Sequence, residues 1–426
     1  MADQPNVVFV FADQMRASAM GCAGDPNVRT PALDGMAQEG VHFEHAYTPY
    51  PVCSPARGSI LTGRYPHDHG VVGNTYLKLR LPTETTTVAE AFREEGYRTG
   101  YVGKWHLDGT KEGPGFVPPG PRRQGFDYWK GFNRGHQHLQ GHPHFDRDGN
   151  VEWEEGYQPE IQTDLAIDFV EGASDDPFFC MMSWGPPHTP FEAPAEYSDL
   201  YDPAELELRE NVPEEEREEV RETLPEYYGM VTSLDEQLGR VLDALEREGV
   251  ADETIVVFTS DHGEMMGSQG MWHKGNPEEE SVHVPLLVRY PDELPAGERS
   301  EAFVNLVDLF PTLASFAGAP VPDGVQGRDL ADHFRDPAGV DGPTETYVEG
   351  AVPFDHAWRA VRSAEGLLAV DEDFEATHLY AGDDEYQRDN LAGEDDELEE
   401  RLRESLYEWM YETDDRRMIA RREIDL

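Results

Sequence analysis

A cysteine stands two residues before a proline and four before an arginine in Cys53-Ser54-Pro55-Ala56-Arg57, and the run continues as Gly58-Ser59-Ile60-Leu61-Thr62-Gly63-Arg64. Pro55 suits the first turn of a helix, where its missing N–H costs nothing, and the pattern predicts a short helix over 56–62 ending at Gly63. The positive end of such a helix, with its free N–H groups, faces whatever Cys53 carries. That is a place for a nucleophile working on an anion. Two other stretches carry a different chemistry. Val10-Phe11-Ala12-Asp13-Gln14 and Phe258-Thr259-Ser260-Asp261-His262 each end an apolar run in a carboxylate followed by a second side chain able to bind a metal. Two carboxylates brought together repel, and a divalent cation is the natural neutraliser. Asp13, Gln14, Asp261 and His262 are therefore read as metal ligands.

The elements that must position these residues follow one plan. Asn6–Ala12 leads to Asp13-Gln14, Gly100–Gly103 to Lys104-Trp105-His106, and Pro177–Ser183 through Trp184-Gly185-Pro186-Pro187 to His188. Thr254–Thr259 leads to Ser260-Asp261-His262, and Pro285–Arg289 to Tyr290-Pro291. Each is a short β-rich apolar run followed by a polar cluster. Between them lie helical patterns with ordinary ends: Thr87 caps Val88–Glu95, Ile161–Glu171 stops at Gly172, and Pro225–Glu248 stops at Gly249. Apolar runs alternating with amphipathic helices predict an α/β protein with a mostly parallel sheet buried on both faces. Ligands bind outside the carboxyl ends of such strands, so Asp13, Lys104, His188 and Asp261 are expected on one edge. A Gly/Pro/Asp-rich stretch at 336–343 then divides a catalytic domain, 1–340, from a C-terminal part, 341–426. The latter shows short strands near Thr346–Glu349, Trp358–Arg362, Gly366–Val370 and Thr377–Tyr380, and a final acidic helix over Asp396–Thr413.

The Cys-x-Pro-x-Arg motif with its Leu-Thr-Gly-Arg continuation resembles the signature of the sulfatases. The resemblance implies the alkaline-phosphatase-like fold: a large mixed, mostly parallel sheet between helices, with a smaller C-terminal antiparallel sheet and helix. It also implies that Cys53 is oxidised to formylglycine, whose hydrate is the nucleophile, and that residue 53 joins Asp13, Gln14, Asp261 and His262 around the metal. The pairs Asp13-Gln14 and Asp261-His262 depart from the family's commonest pattern of two acids and a later Asp-Asn. They resemble the branch of choline sulfatases and phosphonate monoester hydrolases, and the His also occurs in iduronate-type sulfatases. Oxygen donors favour Ca²⁺, and an imidazole shifts the balance toward Mn²⁺ as the alternative. Gly103-Lys104-Trp105-His106 is similar to the family's Gly-Lys-x-His element, Pro187-His188-Thr189-Pro190 to its Pro-His-x-Pro element, and Lys274 to the lysine after the Asp-His pair. By this likeness Arg57, Lys104 and Lys274 clamp the anion, His188 protonates the leaving alcohol, and His106 takes a proton from the diol. Asn74 is a candidate hydrogen-bonding partner of substrate. The implied partners are a small-molecule or carbohydrate sulfate ester and a formylglycine-generating enzyme. Rival readings are a phosphonate monoester or phosphodiester hydrolase of the same fold and a non-catalytic sulfatase-like binder. A cysteine phosphatase needs five residues between Cys and Arg, and here there are three.

Composition bounds the partners. The 426 residues carry 86 acidic against 34 basic side chains, a formal net charge of −52. Apolar runs interspersed with the acids argue against disorder. So much surface acid repels nucleic acid and anionic membranes, and no stretch of about 18 apolar residues offers a membrane span. Lysine is scarce, with five residues at 78, 104, 111, 130 and 274. An acid-rich, lysine-poor surface predicts a salt-loaded, halophilic cytoplasm. Three cysteines (22, 53 and 180) make no disulfide framework, and Met1-Ala2-Asp3-Gln4-Pro5 lacks the basic start of a signal peptide, so the expected location is cytoplasmic. The four histidines at 136, 138, 142 and 144 read as a loop near the pocket entrance, and the acidic run Pro203–Glu226 as a solvated helical insertion. The alcohol half of the substrate and the oligomeric state stay open.

Overall fold

A computed structural model describes residues 4–74, 79–109, 114–350 and 357–415. The strands in chain order are β1 Asn6–Asp13, β2 Val41–Tyr47, β3 Arg98–Lys104, β4 Tyr128–Phe132, β5 His142–Phe145, β6 Val151–Glu154, β7 Phe178–Pro187, β8 Thr254–Ser260, β9 Leu286–Arg289 and β10 Glu298–Asn305. Four more follow: β11 Glu345–Gly350, β12 Trp358–Ser363, β13 Gly366–Val370 and β14 Ala376–Ala381. Eight of them form one sheet in the order β10-β2-β9-β8-β1-β7-β3-β4. All its neighbours run parallel except β9, which is antiparallel to both β8 and β2.

Every residue of β1 is buried. Val7, Phe9 and Phe11 face one core cluster while Val8, Val10 and Ala12 face another, so successive side chains feed two cores. The near-continuous apolar strand is what a parallel sheet covered on both faces demands. The Arg217–Glu248 and Gln158–Ala173 helices cover one face. The Val88–Glu94 and Leu309–Ala317 helices cover the other. Thr87 closes a capping box with Glu90 at the start of its helix.

Three sequence expectations change. β9 runs the other way, so Tyr290-Pro291 lies at the edge opposite Asp13. Between β8 and β9 the chain forms only a 3-10 turn, Ser268–Gly270, and the one-turn helix Glu279–Val282. Without a crossover helix the chain re-enters the sheet from the edge at which it left. The Gln158–Ala173 helix passes through Gly172 instead of stopping there. The long helix begins at Arg217, with Pro225 inside it, and Val220 and Leu224 are buried. Part of the acidic run is thus an amphipathic helix start, its apolar spacing masked by flanking glutamates.

β11 to β14 form a four-stranded antiparallel sheet. Leu398, Leu402, Leu406 and Met410 of the Asp396–Glu412 helix pack on one face of it, and Tyr47, Val282 and Phe303 from the main sheet's side meet the other. A buried ionic tie strengthens the junction. His67 Nδ1 lies 3.1 Å from Glu349 Oε2, Arg359 Nη2 lies 3.2 Å from the same oxygen, and Arg359 Nε donates to Asp415 Oδ2 at 2.5 Å. Among the described residues no helix is long and apolar enough to cross a membrane.

Candidate active site

The register of four parallel strands brings the predicted residues together. Ala12 pairs with Ser260, Asp13 with Pro187, and Gly103 with Ser183, so β1, β8, β7 and β3 end side by side. Gly103 makes this possible. Its φ is +101°, and a Cβ there would meet the Ser183 carbonyl oxygen at 2.0 Å. Only glycine lets β3 approach β7 closely enough to deliver Lys104.

Cys53 is the first residue of the Cys53–Thr62 helix, every residue of which is buried. Gly63 closes the helix in the left-handed conformation, as expected. Asn74 Oδ1 accepts the Ser54 N–H at 3.2 Å and Ser54 Oγ donates to the His106 carbonyl at 2.6 Å, fixing the helix start. The oxygen of Asn74 is therefore engaged in holding the helix.

Cys53 Sγ lies 3.2 Å from His262 Nε2 and 3.6 Å from Asp13 Oδ1. His262 Nε2 lies 3.8 Å from Asp13 Oδ1 and 3.5 Å from Asp261 Oδ1. These four residues each offer a ligand atom, all within 4.8 Å of one another. On the far side of the carboxylates, Arg57 donates from Nη2 to Asp13 Oδ2 and from Nε to Asp261 Oδ2, both at 2.9 Å. Its Nη1 bonds the Lys104 carbonyl and Ser183 Oγ, each at 2.6 Å. Arg57 is thus committed to holding the two acids, and it already relieves part of the repulsion that the sequence argument left to a metal. The case for a divalent cation rests instead on the convergent donors. The Oδ1 atoms, a sulfur and an imidazole nitrogen share one side, and the 3.0 Å contact of His262 Nδ1 with the Gly263 carbonyl places its proton there and leaves Nε2 free to ligate. This donor set fits such an ion.

Gln14 has positive φ (73°). Its side-chain amide donates to Glu264 Oε2, its oxygen accepts from Lys274 Nζ, and its N–H donates to Asp261 Oδ1 at 3.1 Å. Lys104 Nζ is fully buried against Asp13 Oδ2. His188 Nδ1 meets the Thr189 carbonyl at 2.7 Å while its Nε2 meets Lys274 Nζ at 2.8 Å. His106, also with positive φ (58°), has a buried Nδ1 with no hydrogen-bond partner among the described residues.

Charges sort these groups. Burial alone would raise the Asp13 carboxyl, but Lys104, His188, Arg57 and His262 outweigh it and hold Asp13 well below the usual carboxylate range. Burial and Asp13 push the Cys53 thiol up, while Lys104, Lys274 and His262 pull it down by more. Burial, reinforced by Lys104 and Arg57, drives His106 well below its ordinary value; burial and Lys274 do the same to His188. Both imidazoles rest neutral.

Sequence reasoning missed two participants, Ser183 and Glu264, and placed His136 only in a loop near the pocket entrance. Ser183 receives Arg57, and Glu264 orients Gln14 across 250 residues of chain. His136 stacks on His188 with ring centroids 3.7 Å apart and planes 8° from parallel. His138 Nε2 meets the His188 carbonyl at 2.8 Å, whereas His142 and His144 turn toward the Lys130 carbonyl and Glu154. The four histidines split into a pair at His188 and a pair that turns to β4 and β6.

Residues 5–319 match the family model described as Sulfatase, and 267–387 match one described as N-sulphoglucosamine sulphohydrolase, C-terminal. An ulvan-active sulfatase of Formosa agariphila is 37% identical over 423 residues, covering 95% of this chain and 81% of its own. The crystal structure of the yidJ protein of Bacteroides fragilis superposes with a TM-score of 0.90 at 30% identity over 97% of both chains. A phosphonate monoester hydrolase from Silicibacter pomeroyi shares the fold, with a TM-score of 0.79 at 24% identity over 96% of both chains.

Proposed function

The chain belongs to the sulfatase family and is a sulfuric ester hydrolase, and from that premise we propose that it cleaves a carbohydrate sulfate monoester through a formylglycine made from Cys53. The carrying observation is the convergence of Cys53 Sγ, His262 Nε2 and the two Asp Oδ1 atoms opposite the Lys274–His188 pair. The formylglycine hydrate supplies a nucleophilic hydroxyl. Asp13, Asp261 and His262, with Gln14 as a further oxygen donor, would hold a Ca²⁺ (or Mn²⁺) ion that lowers the cost of charge on sulfate oxygens. The activity of the ulvan-active relative supports a sulfated carbohydrate as substrate.

The chain's own residues divide the work. Arg57 orients both acids from behind. Lys104 and Lys274 present ammonium groups to an anion entering between them, where burial strengthens each interaction. His188 and Lys274 act as a unit: the ammonium donates to Nε2, and a proton carried on this pair is available to the departing alkoxide. Neutral His106, its Nδ1 unpartnered, is the base that takes the second hydroxyl's proton so that sulfate leaves and the aldehyde reforms. A thiol has no second hydroxyl, so oxidation by a formylglycine-generating enzyme is required. The acid-rich, lysine-poor composition supports a salt-adapted enzyme.

Peptide mass spectrometry across Cys53, alongside sulfate release from a sulfate ester, tests the reading. Formylglycine in protein that releases sulfate supports it. An intact thiol in a preparation with full turnover sinks it. The Asp13-Gln14 and Asp261-His262 pairs and the shared fold also favour a second reading, phosphonate monoester hydrolysis. Turnover of aryl sulfate against aryl phosphonate decides between them.

A further inference from the structure

On the edge strand β4, next to the strand that carries Lys104, a cleft of about 310 Å³ opens between Phe116, Arg123, Trp129, Lys130, Phe145 and Arg147. It is large enough for a small ligand by the usual range of binding-pocket volumes. In a protein with 86 acidic and 34 basic residues, three cations line one cleft. Arg123 lies over the Trp129 ring, 5.1 Å from its centroid, and donates to the Val117 carbonyl. Lys130 sits 6.0 Å from the Tyr128 ring centroid. Neither these two nor Arg147 has a carboxylate partner among the described residues. The one acid lining the cleft, Asp146, is engaged by its own turn: its carboxylate accepts from Asp148 N, Asn150 N and Asn150 Nδ2.

The aromatic lining completes a surface suited to a sugar. Phe116 and Phe145 meet with centroids 5.7 Å apart, and Trp129 continues into Trp105, 5.1 Å away, next to His106. Flat rings take the C–H face of a pyranose while cations take its charged substituent. The cleft is also connected to the chemistry. β4 pairs Gly131 with Gly103 and Phe132 with Lys104, one strand spacing of about 4.8 Å away. Beyond β4 the Asn133 carbonyl accepts the His106 N–H at 2.7 Å, and the chain runs on to His136 against His188.

We infer that this cleft is a subsite for a second anionic sugar of an oligosaccharide whose neighbouring sulfate ester occupies the catalytic site. The inference rests on the carbohydrate reading above and extends it from a monosulfate to a polyanionic chain. The test uses the full-length protein carrying formylglycine, a sulfated ulvan tetrasaccharide, its desulfated form, and 4-nitrophenyl sulfate. Binding is measured by calorimetry on wild type and on the double variant Lys130→Gln/Arg147→Gln, with circular dichroism confirming that both are folded. The expected result is at least tenfold weaker tetrasaccharide binding by the variant, with an equal fall in kcat/KM for tetrasaccharide relative to 4-nitrophenyl sulfate. Binding of the sulfated form that weakens with added salt, and weak binding of the desulfated form, assign the cleft to sulfate. Equal binding of both forms by wild type, lost in the variant, assigns it to the sugar's carboxylate. A variant that binds as tightly as wild type, or a wild type that binds neither form, overturns the inference. Failure of wild type to release sulfate from any ester instead sinks the enzymatic reading, a separate result.

Discussion

The chemistry of the site is decided by how few atoms are left uncommitted. Arg57 has its donors on two carboxylates, a carbonyl and a hydroxyl, so the proposed mechanism assigns anion contact to Lys104 and Lys274. His188 is held neutral by burial and by Lys274, so the acid role proposed for it would depend on that lysine. Lys274→Ala and His188→Ala should each lower kcat/KM by roughly 10²–10⁴-fold for an alkyl or sugar sulfate, whose leaving alkoxide needs a proton. The loss should be far smaller for 4-nitrophenyl sulfate, whose phenolate leaves unprotonated. Equal losses on both substrates, read from steady-state kinetics, would remove His188 and Lys274 from the proton path. The ligand candidates were legible in the sequence because Cys53 to Arg57, Asp13-Gln14 and Asp261-His262 are local patterns. Glu264 and Ser183 were not. Each matters through a contact with a residue far along the chain, and their own neighbours in sequence carry no sign of it.

Among the elements, positioning rests on close approach and on end placement. Gly103→Ala should cost roughly 3 kcal/mol or more, because the backbone is left-handed and the added methyl meets the Ser183 carbonyl. Chemical denaturation would measure this, and a stability within 1 kcal/mol of wild type, roughly the effect of an ordinary substitution, would contradict the account of β3. The second sheet is tied down by the His67–Glu349–Arg359–Asp415 cluster. Burial opposes a charge on His67, but Glu349 overcomes it and lifts the imidazole from 6.5 to about 9. A folded value above the unfolded one means that the stabilisation is complete below about 6.5 and fades as pH rises through about 9. The Tm should fall across that window, and His67→Gln should flatten the fall. An identical slope in the variant would assign the pH effect elsewhere. Five strands of the main sheet, the helix ends at Thr87 and Gly249 and the four C-terminal strands could be read from period and turn residues, whereas β2, β4 and β10 and the passage of a helix through Gly172 could not. The direction of β9 could not, because it depends on what the 263–285 link lacks, a crossover helix, and not on the apolar run itself.

The molecule as a whole concentrates its scarce positive charge. Against a net charge of −52, buried cations gather at the ends of β1, β3 and β8, and three with no carboxylate partner among the described residues line the cleft on β4. An acidic exterior with a cationic interior site discourages non-specific polyanions while retaining one that reaches the pocket. Removal of divalent ions by a chelator should abolish sulfate release yet lower the Tm by only a few degrees. Re-addition of Ca²⁺ or Mn²⁺ should restore turnover, and unfolding on chelation would contradict this. The reason lies in the guanidinium wedged beneath Asp13 and Asp261. It would serve as a permanent placeholder, letting the polypeptide reach its native form before the proposed ion binds. Availability of that ion would then govern turnover, while the protein itself persists intact.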